Sequence, residues 1–291
     1  MVFSSMLLPV IFFFLIMFEP DILCLSSNNN FTFNDCIPRE RISLLRLKAS
    51  LLDGSNGISS WNNTRYKCCN WQGVKCDKAT GHVIGLDIRN RVLDNYGDPS
   101  SDSMLQSETL DSSLLEMKHL KYLDLSGNNF KDSSIPSFLG SLNKPQYLNL
   151  SNAGFGCVIP HQLGNLSTLC ALDLGGLLSS LRVDNLIWAA NLSLLESLDM
   201  CHVNLSTTKD HLAKLPEELG KLKQLKWLDL SDNKLSGPIP TIVGQLSDLE
   251  WIDIYGNTFE GTLIEAHFEK LFKLKGFRTG SNMLTFRVGD D

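Results

Sequence analysis

One short pattern recurs along most of this chain and limits what it can fold into. Its best copies are LKYLDLSGNNF at residues 120–130, LKWLDLSDNKL at 225–235 and LEWIDIYGNTF at 249–259. Aligned on the asparagine slot, the copies fall at 91, 128, 153, 177, 203, 233, 257 and 282, so successive spacings are 37, 25, 24, 26, 30, 24 and 25. A period of about 24 residues predicts a stack of similar coils, with insertions where the spacing is 37 and 30.

The pattern predicts the structure of each coil. Alternating apolar and polar residues, as in Leu123, Asp124 and Leu125, indicate one half-buried strand per coil, and the stacked strands form a parallel sheet. The asparagine is expected to be buried, where its amide satisfies backbone groups of neighbouring coils. It is present at Asn128, Asn233, Asn257 and Asn282, whereas Arg91, Ala153, Leu177 and Val203 occupy the other slots.

The N-terminus has a different composition. Residues 6–18 form an unbroken apolar run, and five of the 15 Phe lie within the first 18 residues. Thirteen residues are too few to cross a bilayer comfortably and fit the core of a secretory signal peptide, which we assign to residues 1–26. A buried core helix is the alternative, although the run has no polar face.

Secretion favours disulfides among the eight cysteines, of which Cys36, Cys68, Cys69 and Cys76 cluster. Because adjacent Cys68 and Cys69 can hardly pair with each other, one is expected to pair with Cys36 and the other with Cys76. A zinc site is the competing interpretation, but the spacing suits a tetrahedral site poorly. The dispersed cysteines are predicted to be small buried apolar residues: Cys157, Cys170 and Cys201.

A helix is expected to open at Pro38, since proline is favourable in the first helical turn. Its predicted apolar side consists of Ile42, Leu44, Leu45, Leu47, Leu51 and Leu52. Together with Trp61 and Trp71, this helix should cover the exposed end of the first coil, as repeat arrays require.

Residues 36–87 resemble the N-terminal cap of plant leucine-rich-repeat proteins, on the segments ERISLLRLKASL, SSWNN and KCCNWQGVKCDKATGHVIGLDI. The Ile-Pro elements resemble the plant subclass of these repeats. The resemblance implies an α/β leucine-rich-repeat solenoid, a curved right-handed superhelix with a parallel concave β-sheet. The cap would span 36–82 and the repeats 83–288, about eight coils with the last incomplete. The resemblance also implies that the disulfide pairs are Cys36–Cys68 and Cys69–Cys76.

Segments such as GSLNKPQYLNLSNAGFGCVIPHQLGNLSTL are most similar to receptor-like proteins typified by receptors for a fungal ethylene-inducing xylanase. That family has an extracellular repeat domain, one membrane helix and no kinase, and it signals through partner receptor kinases. No apolar segment of membrane-spanning length follows residue 25 and no second Cys-rich cap follows the repeats. We therefore expect a truncated member, secreted as written and single-pass in the plasma membrane if a full-length form carries the family's helix.

Catalysis and nucleic-acid binding are not expected. The chain has no G-x-S-x-G, H-E-x-x-H or phosphate-binding glycine loop, and its net charge of −6 offers no positive field to a phosphate backbone. No cofactor and no metal site is predicted. The histidines look scattered, mostly in caps or convex positions: His82, His119, His161, His202, His211 and His267.

Binding is expected on the concave sheet, where outward residues of successive strands form columns. One column is aromatic but is split by Ala171 and Ser197, and the next is mainly acidic, although L-D-L is common in such repeats. The candidate ligand-binding residues are Tyr122, Asp124, Tyr147, Asn149, Trp227, Asp229, Trp251 and Asp253. Candidate glycosylation sites are Asn30, Asn62, Asn149, Asn165, Asn191 and Asn204.

The leading functional hypothesis is the recognition domain of a receptor-like protein that perceives a microbial protein or peptide in plant defence. A receptor kinase would be its co-receptor in the full-length family. The alternatives are a soluble repeat protein that inhibits a secreted hydrolase and a nonfunctional fragment.

Overall fold

The computed structural model describes residues 36–54, 56–62, 67–91, 103–177, 180–205, 214–287 and 289. The predicted signal segment 1–26 and the candidate glycosylation site Asn30 lie outside these residues.

The described residues contain a nine-stranded sheet that runs through the stack of coils. Its strands, in spatial order, are β2 (Val74–Cys76), β3 (Val83–Asp87), β5 (Tyr122–Asp124), β6 (Tyr147–Asn149), β8 (Ala171–Asp173), β10 (Ser197–Asp199), β11 (Trp227–Asp229), β13 (Trp251–Asp253) and β15 (Gly276–Arg278). Only β2 runs antiparallel, against β3; the other eight are parallel. The predicted arrangement of one parallel strand per coil is confirmed.

Separate two- and three-stranded sheets and short 3₁₀ helices make up the rest of the coils. The remaining strands are β1 (Leu52–Asp53), β4 (Leu105–Gln106), β7 (Gly156–Val158), β9 (Ser180–Arg182), β12 (Ser236–Gly237), β14 (Thr258–Leu263) and β16 (Met283–Phe286). Five-residue 3₁₀ helices at Ser137–Ser141, His161–Asn165, Ile187–Asn191, Glu217–Lys221 and Thr241–Gln245 lead the chain back to the sheet. All but one of these begin directly after a proline, which is the N-cap residue in an extended conformation and has no backbone N–H that needs a partner.

The cap is built on helix α1, Pro38–Ser50, which begins at the predicted proline. Leu44, Leu47 and Leu51 are buried as expected. Ile42 is exposed because the buried face of the helix also includes the polar residues Glu40 and Ser43, and Leu52 is exposed on β1, after the helix has ended. The disulfides are Cys36–Cys68 and Cys69–Cys76, the pairing that the family resemblance implied. Trp61 and Trp71 stack with ring centroids 5.9 Å apart beneath the helix.

Among the described residues, none of the three dispersed cysteines forms a disulfide. Cys170 and Cys201 are half-buried, and burial raises the pKa of the Cys201 thiol, which keeps it protonated. The prediction that Cys157 is buried is wrong: it is exposed and has a φ of +65° on strand β7, a left-handed conformation that turns its side chain outward.

Asparagines at equivalent positions of the repeat form hydrogen bonds between neighbouring coils. We call this set of residues, Asn128, Asn233, Asn257 and Asn282, the asparagine ladder. Asn257 donates from Nδ2 to the carbonyls of Leu230 (2.8 Å) and Ile254 (3.1 Å), and its Oδ1 accepts from the Leu235 N–H at 3.0 Å. Asn128 and Asn282 make equivalent bonds to the coil before them. The amide therefore satisfies buried backbone groups of two coils at once, as predicted.

We predict that Asn257→Ala destabilises the stack, because the buried Leu235 N–H loses its acceptor and the carbonyls of Leu230 and Ile254 each lose one of their donors. The free energy of unfolding should fall by about 1–3 kcal/mol, measured by urea denaturation. Exposed Asn143→Ala is the matched control and should leave the midpoint unchanged; an equal effect of both variants would refute the role of the ladder.

Candidate functional site

The outward residues at the first strand position form an aromatic column with a gap. Tyr122 is in register with Tyr147, and Trp227 with Trp251, while Ala171 and Ser197 fill the strands between. The two tyrosine rings stack with centroids 4.4 Å apart and an interplanar angle of 4°. The two indoles stack at 5.3 Å and 6°. All four rings are half-buried, so the sheet presents two separate aromatic pairs to solvent.

Hydrogen bonds fix the tyrosine pair. Tyr122 donates its hydroxyl to Oδ2 of Asp124 at 3.1 Å, and Tyr147 contacts the same oxygen at 3.5 Å. Asn149 donates from Nδ2 to the Tyr147 hydroxyl at 3.1 Å. Burial raises the pKa of both phenols, so they remain donors. The pair is a pre-arranged surface rather than two mobile side chains.

The tryptophan pair depends on a glycine in the next coil. Gly276 is the register partner of Trp251, and a Cβ at Gly276 would lie 2.1 Å from Cε3 and Cζ3 of that indole. The ring therefore extends over the neighbouring strand, and only glycine leaves it room.

The acidic column is in the predicted register, but its side chains do not simply project outward. Six successive members accept the backbone N–H two residues on, which closes the turn after each strand: Asp124, Asn149, Asp173, Asp199, Asp229 and Asp253. Asp124 is 0% and Asp253 2% exposed. Both carboxylates bond to the turns and to neighbouring side chains, and their role as direct ligand contacts stays a prediction.

Arginines pair with the two ends of this column. Arg89 lies 3.1 Å from Asp87 and 3.6 Å from Asp124, and Arg278 donates to Oδ2 of Asp253 at 2.9 Å. Within the part of the chain that the structure describes, no ion pair involves the central members, Asp173, Asp199 and Asp229.

The central carboxyls are hard to ionise. Burial, and then the adjacent acids, raise the pKa of Asp173 and Asp199 to about 7 and that of Asp229 to about 8. These three carboxyls lie beside the gap between the aromatic pairs. Each comes two residues after the aromatic-column position of its strand, which is Ala171 in β8, Ser197 in β10 and Trp227 in β11. A cationic group placed there would favour their charged forms.

The raised pKa values predict that the protein is more stable in mild acid. Between pH 4 and pH 8 the folded state binds more protons than the unfolded state, so stability falls as pH rises through this window and levels off above it. The melting temperature should be higher at pH 5 than at pH 8, and Asp199→Asn should reduce the difference.

Exposed Asp184, outside the column, provides the control for this comparison. Asp184→Asn should leave the difference in melting temperature between pH 5 and pH 8 the same as in the wild type. A difference that is the same in all three proteins would show that the column does not titrate as described.

The glycosylation candidates lie on different faces. Asn165 and Asn191 are exposed at the ends of successive 3₁₀ helices, Asn204 is exposed and Asn62 is half-buried. Asn149 is different because it lies on the sheet face within the tyrosine cluster, where its Oδ1 also accepts from the Ser151 hydroxyl at 2.7 Å.

The histidines are not all scattered, which corrects the sequence-based view. The rings of His82 and His119 stack with centroids 3.8 Å apart, and His82 Nδ1 lies 2.9 Å from Oε1 of Glu40. The sequence held a signal for the histidine pair: both residues lie three positions before the register partners Gly85 and Tyr122. They therefore occupy equivalent places in adjacent coils, 37 residues apart like the asparagine slots at 91 and 128.

No helix among the described residues is long and apolar enough to span a bilayer.

Two family models match the chain. The leucine rich repeat N-terminal domain matches residues 37–77, and the leucine rich repeat matches 119–142 and 224–246. The chain is similar to two tomato (Solanum lycopersicum) proteins. Receptor-like protein EIX1 is 40% identical, and the match covers 71% of this chain and 20% of EIX1. Receptor-like protein EIX2 is 42% identical, and the match covers 44% of this chain and 12% of EIX2. The chain thus spans at most about a fifth of the length of these relatives.

Among solved structures, the chain is similar to that described as the crystal structure of PEPR1–AtPEP1. The TM-score is 0.67 at 27% identity, with 85% of this chain and 32% of the other covered. The fold is the leucine-rich-repeat solenoid that the sequence predicted, and similarity to receptor-like proteins supports the prediction that the chain is not an enzyme.

Proposed function

The chain is a leucine-rich-repeat protein and a relative of the plant receptor-like proteins, and from that premise we propose that it recognises a microbial protein or peptide outside the cell in plant defence. The observation that carries the proposal is the pair of fixed aromatic stacks on the sheet face. The two disulfides of the cap fit an extracellular setting.

The aromatic pairs have the properties of interface anchors. Stacked, half-buried Tyr and Trp rings lose little conformational entropy when a partner covers them, and these residue types dominate binding energy in protein interfaces. Three strand spacings, about 14 Å, separate Tyr147 from Trp227. That span suits a ligand segment that lies across several coils, with one anchor at each pair.

The carboxyls between the pairs give the ligand a charge preference. Asp173, Asp199 and Asp229 have no ion-pair partner within the described ranges, unlike the acids next to Arg89 and Arg278. A ligand that presents Lys or Arg between its two apolar anchors would complement this surface. Signal output would require a partner such as a receptor kinase, by analogy with the family.

The proposal is tested with the secreted chain, residues 27–291, and a fungal ethylene-inducing xylanase as the first probe, followed by proteins of a fungal culture filtrate. Trp227→Ser and Trp251→Ser should each weaken binding at least about tenfold, a loss typical of an interface anchor. Phe272→Ser, which removes an aromatic ring that is 86% exposed and lies away from the sheet face, should not.

Xylanase activity is assayed in the same samples. Binding without loss of that activity supports recognition, whereas stoichiometric inhibition would favour the hydrolase inhibitor. If the wild-type chain binds neither the xylanase nor any filtrate protein, or if Phe272→Ser weakens binding as much as the tryptophan variants, the proposal is wrong.

Glycan mapping checks the same surface independently. A glycan at Asn149 would cover the Tyr122–Tyr147 pair, so we predict that Asn149 is unmodified while Asn165 and Asn191 carry glycans. Glycopeptide mass spectrometry of the secreted chain measures this directly. Full occupancy at Asn149 would remove the tyrosine pair from the ligand surface.

A further inference from the structure

Three side chains from distant parts of the sequence meet where the cap joins the first coils. Glu40 lies on α1, His82 directly precedes β3, and His119 lies three residues before β5. One potential ligand atom from each lies within 4.8 Å of the others. None of the three is used by the aromatic or acidic columns of the sheet face.

The buried carboxylate orients the first imidazole. Glu40 is 3% exposed; its Oε2 accepts from the Val83 N–H at 2.8 Å, and its Oε1 lies 2.9 Å from His82 Nδ1. Because a carboxylate only accepts, the hydrogen of a neutral imidazole lies on Nδ1, and Nε2 keeps its lone pair. This is the carboxylate–histidine arrangement that fixes the tautomer and ring orientation of metal-binding histidines.

The second imidazole completes the site on the solvent side. His119 is exposed, and its ring lies against that of His82 at an interplanar angle of 24°. Nearly parallel rings do not point their lone pairs at one ion, so His119 must turn about χ2, which its exposure permits. Water can then occupy the remaining coordination positions on the open side.

We propose that the imidazoles of His82 and His119 bind a divalent transition-metal ion, with Zn²⁺ as the reference ion, and that Glu40 acts as a positioning residue that holds His82 through its Nδ1. Two imidazole ligands suit Zn²⁺, Cu²⁺ or Ni²⁺ better than Mg²⁺ or Ca²⁺, which prefer oxygen ligands. The bound ion would fasten α1 of the cap to the first two coils, elements that the sequence separates by 79 residues from Glu40 to His119.

The test is a titration of the full secreted chain with Zn²⁺ by isothermal titration calorimetry, with a parallel thermal melt. All proteins carry Cys157→Ser, because an exposed free thiol also binds Zn²⁺. We expect one saturable site, a higher melting temperature with Zn²⁺, reversal by a chelator, and little response to Mg²⁺.

His119→Ala should weaken Zn²⁺ binding at least about tenfold and abolish the thermal shift, and it should fold normally because His119 is exposed. Glu40→Gln, which retains an acceptor for Val83, should weaken binding by a similar factor. Exposed His161→Ala is the matched control and should bind as the parent does.

Absence of a saturable site in the parent protein would overturn the proposal. So would unchanged affinity in His119→Ala, since the ion would then bind elsewhere, and so would equal loss in His119→Ala and His161→Ala.

Discussion

In-register pairing of one short parallel strand per coil is the constraint on which the rest of the molecule depends. It places Leu123, Leu148 and Leu172 on one level inside the stack, and the residues beside them on one level outside. Three-residue strands are too short to hold this register alone. The asparagine ladder supports it in the four coils that carry Asn128, Asn233, Asn257 or Asn282, where the amide joins the backbone of one coil to that of the coil before it. Aromatic and acidic columns on the surface are consequences of this register.

The columns have different roles, although both belong to the same strands. The acidic column mainly stabilises turns, because each carboxylate or amide accepts the N–H two residues on. Its central members have no cationic partners among the described residues. Burial of these carboxyls is the main reason that their pKa values are raised. The aromatic column supplies rigid apolar area. The proposed recognition surface lies where the two properties meet, at the gap formed by Ala171 and Ser197.

Much of the fold could be predicted from the repeat, since the spacing of the pattern determines which residues share a level. The register of Tyr122 with Tyr147 and of Trp227 with Trp251 follows from it, as do the buried asparagines. Side-chain direction could not be predicted, because a strand position alone does not reveal whether an acid bonds its own turn. Asp124 and Asp253 are buried for that reason. The contact between His82 and His119 follows from the repeat only when the 37-residue spacing is taken as one coil plus an insertion, and the hydrogen bond to Glu40 on α1 does not follow from the repeat at all.

The central claim is that the two aromatic pairs form one ligand-contacting surface. Hydroxyl-radical footprinting of the chain, free and saturated with a bound microbial protein, tests it most directly because it reports the solvent access of individual side chains. The account predicts reduced oxidation of Tyr122, Tyr147, Trp227 and Trp251, and unchanged oxidation of the exposed Phe272 and Phe286. Protection of Phe272 and Phe286 with unchanged oxidation of all four sheet-face rings would contradict it.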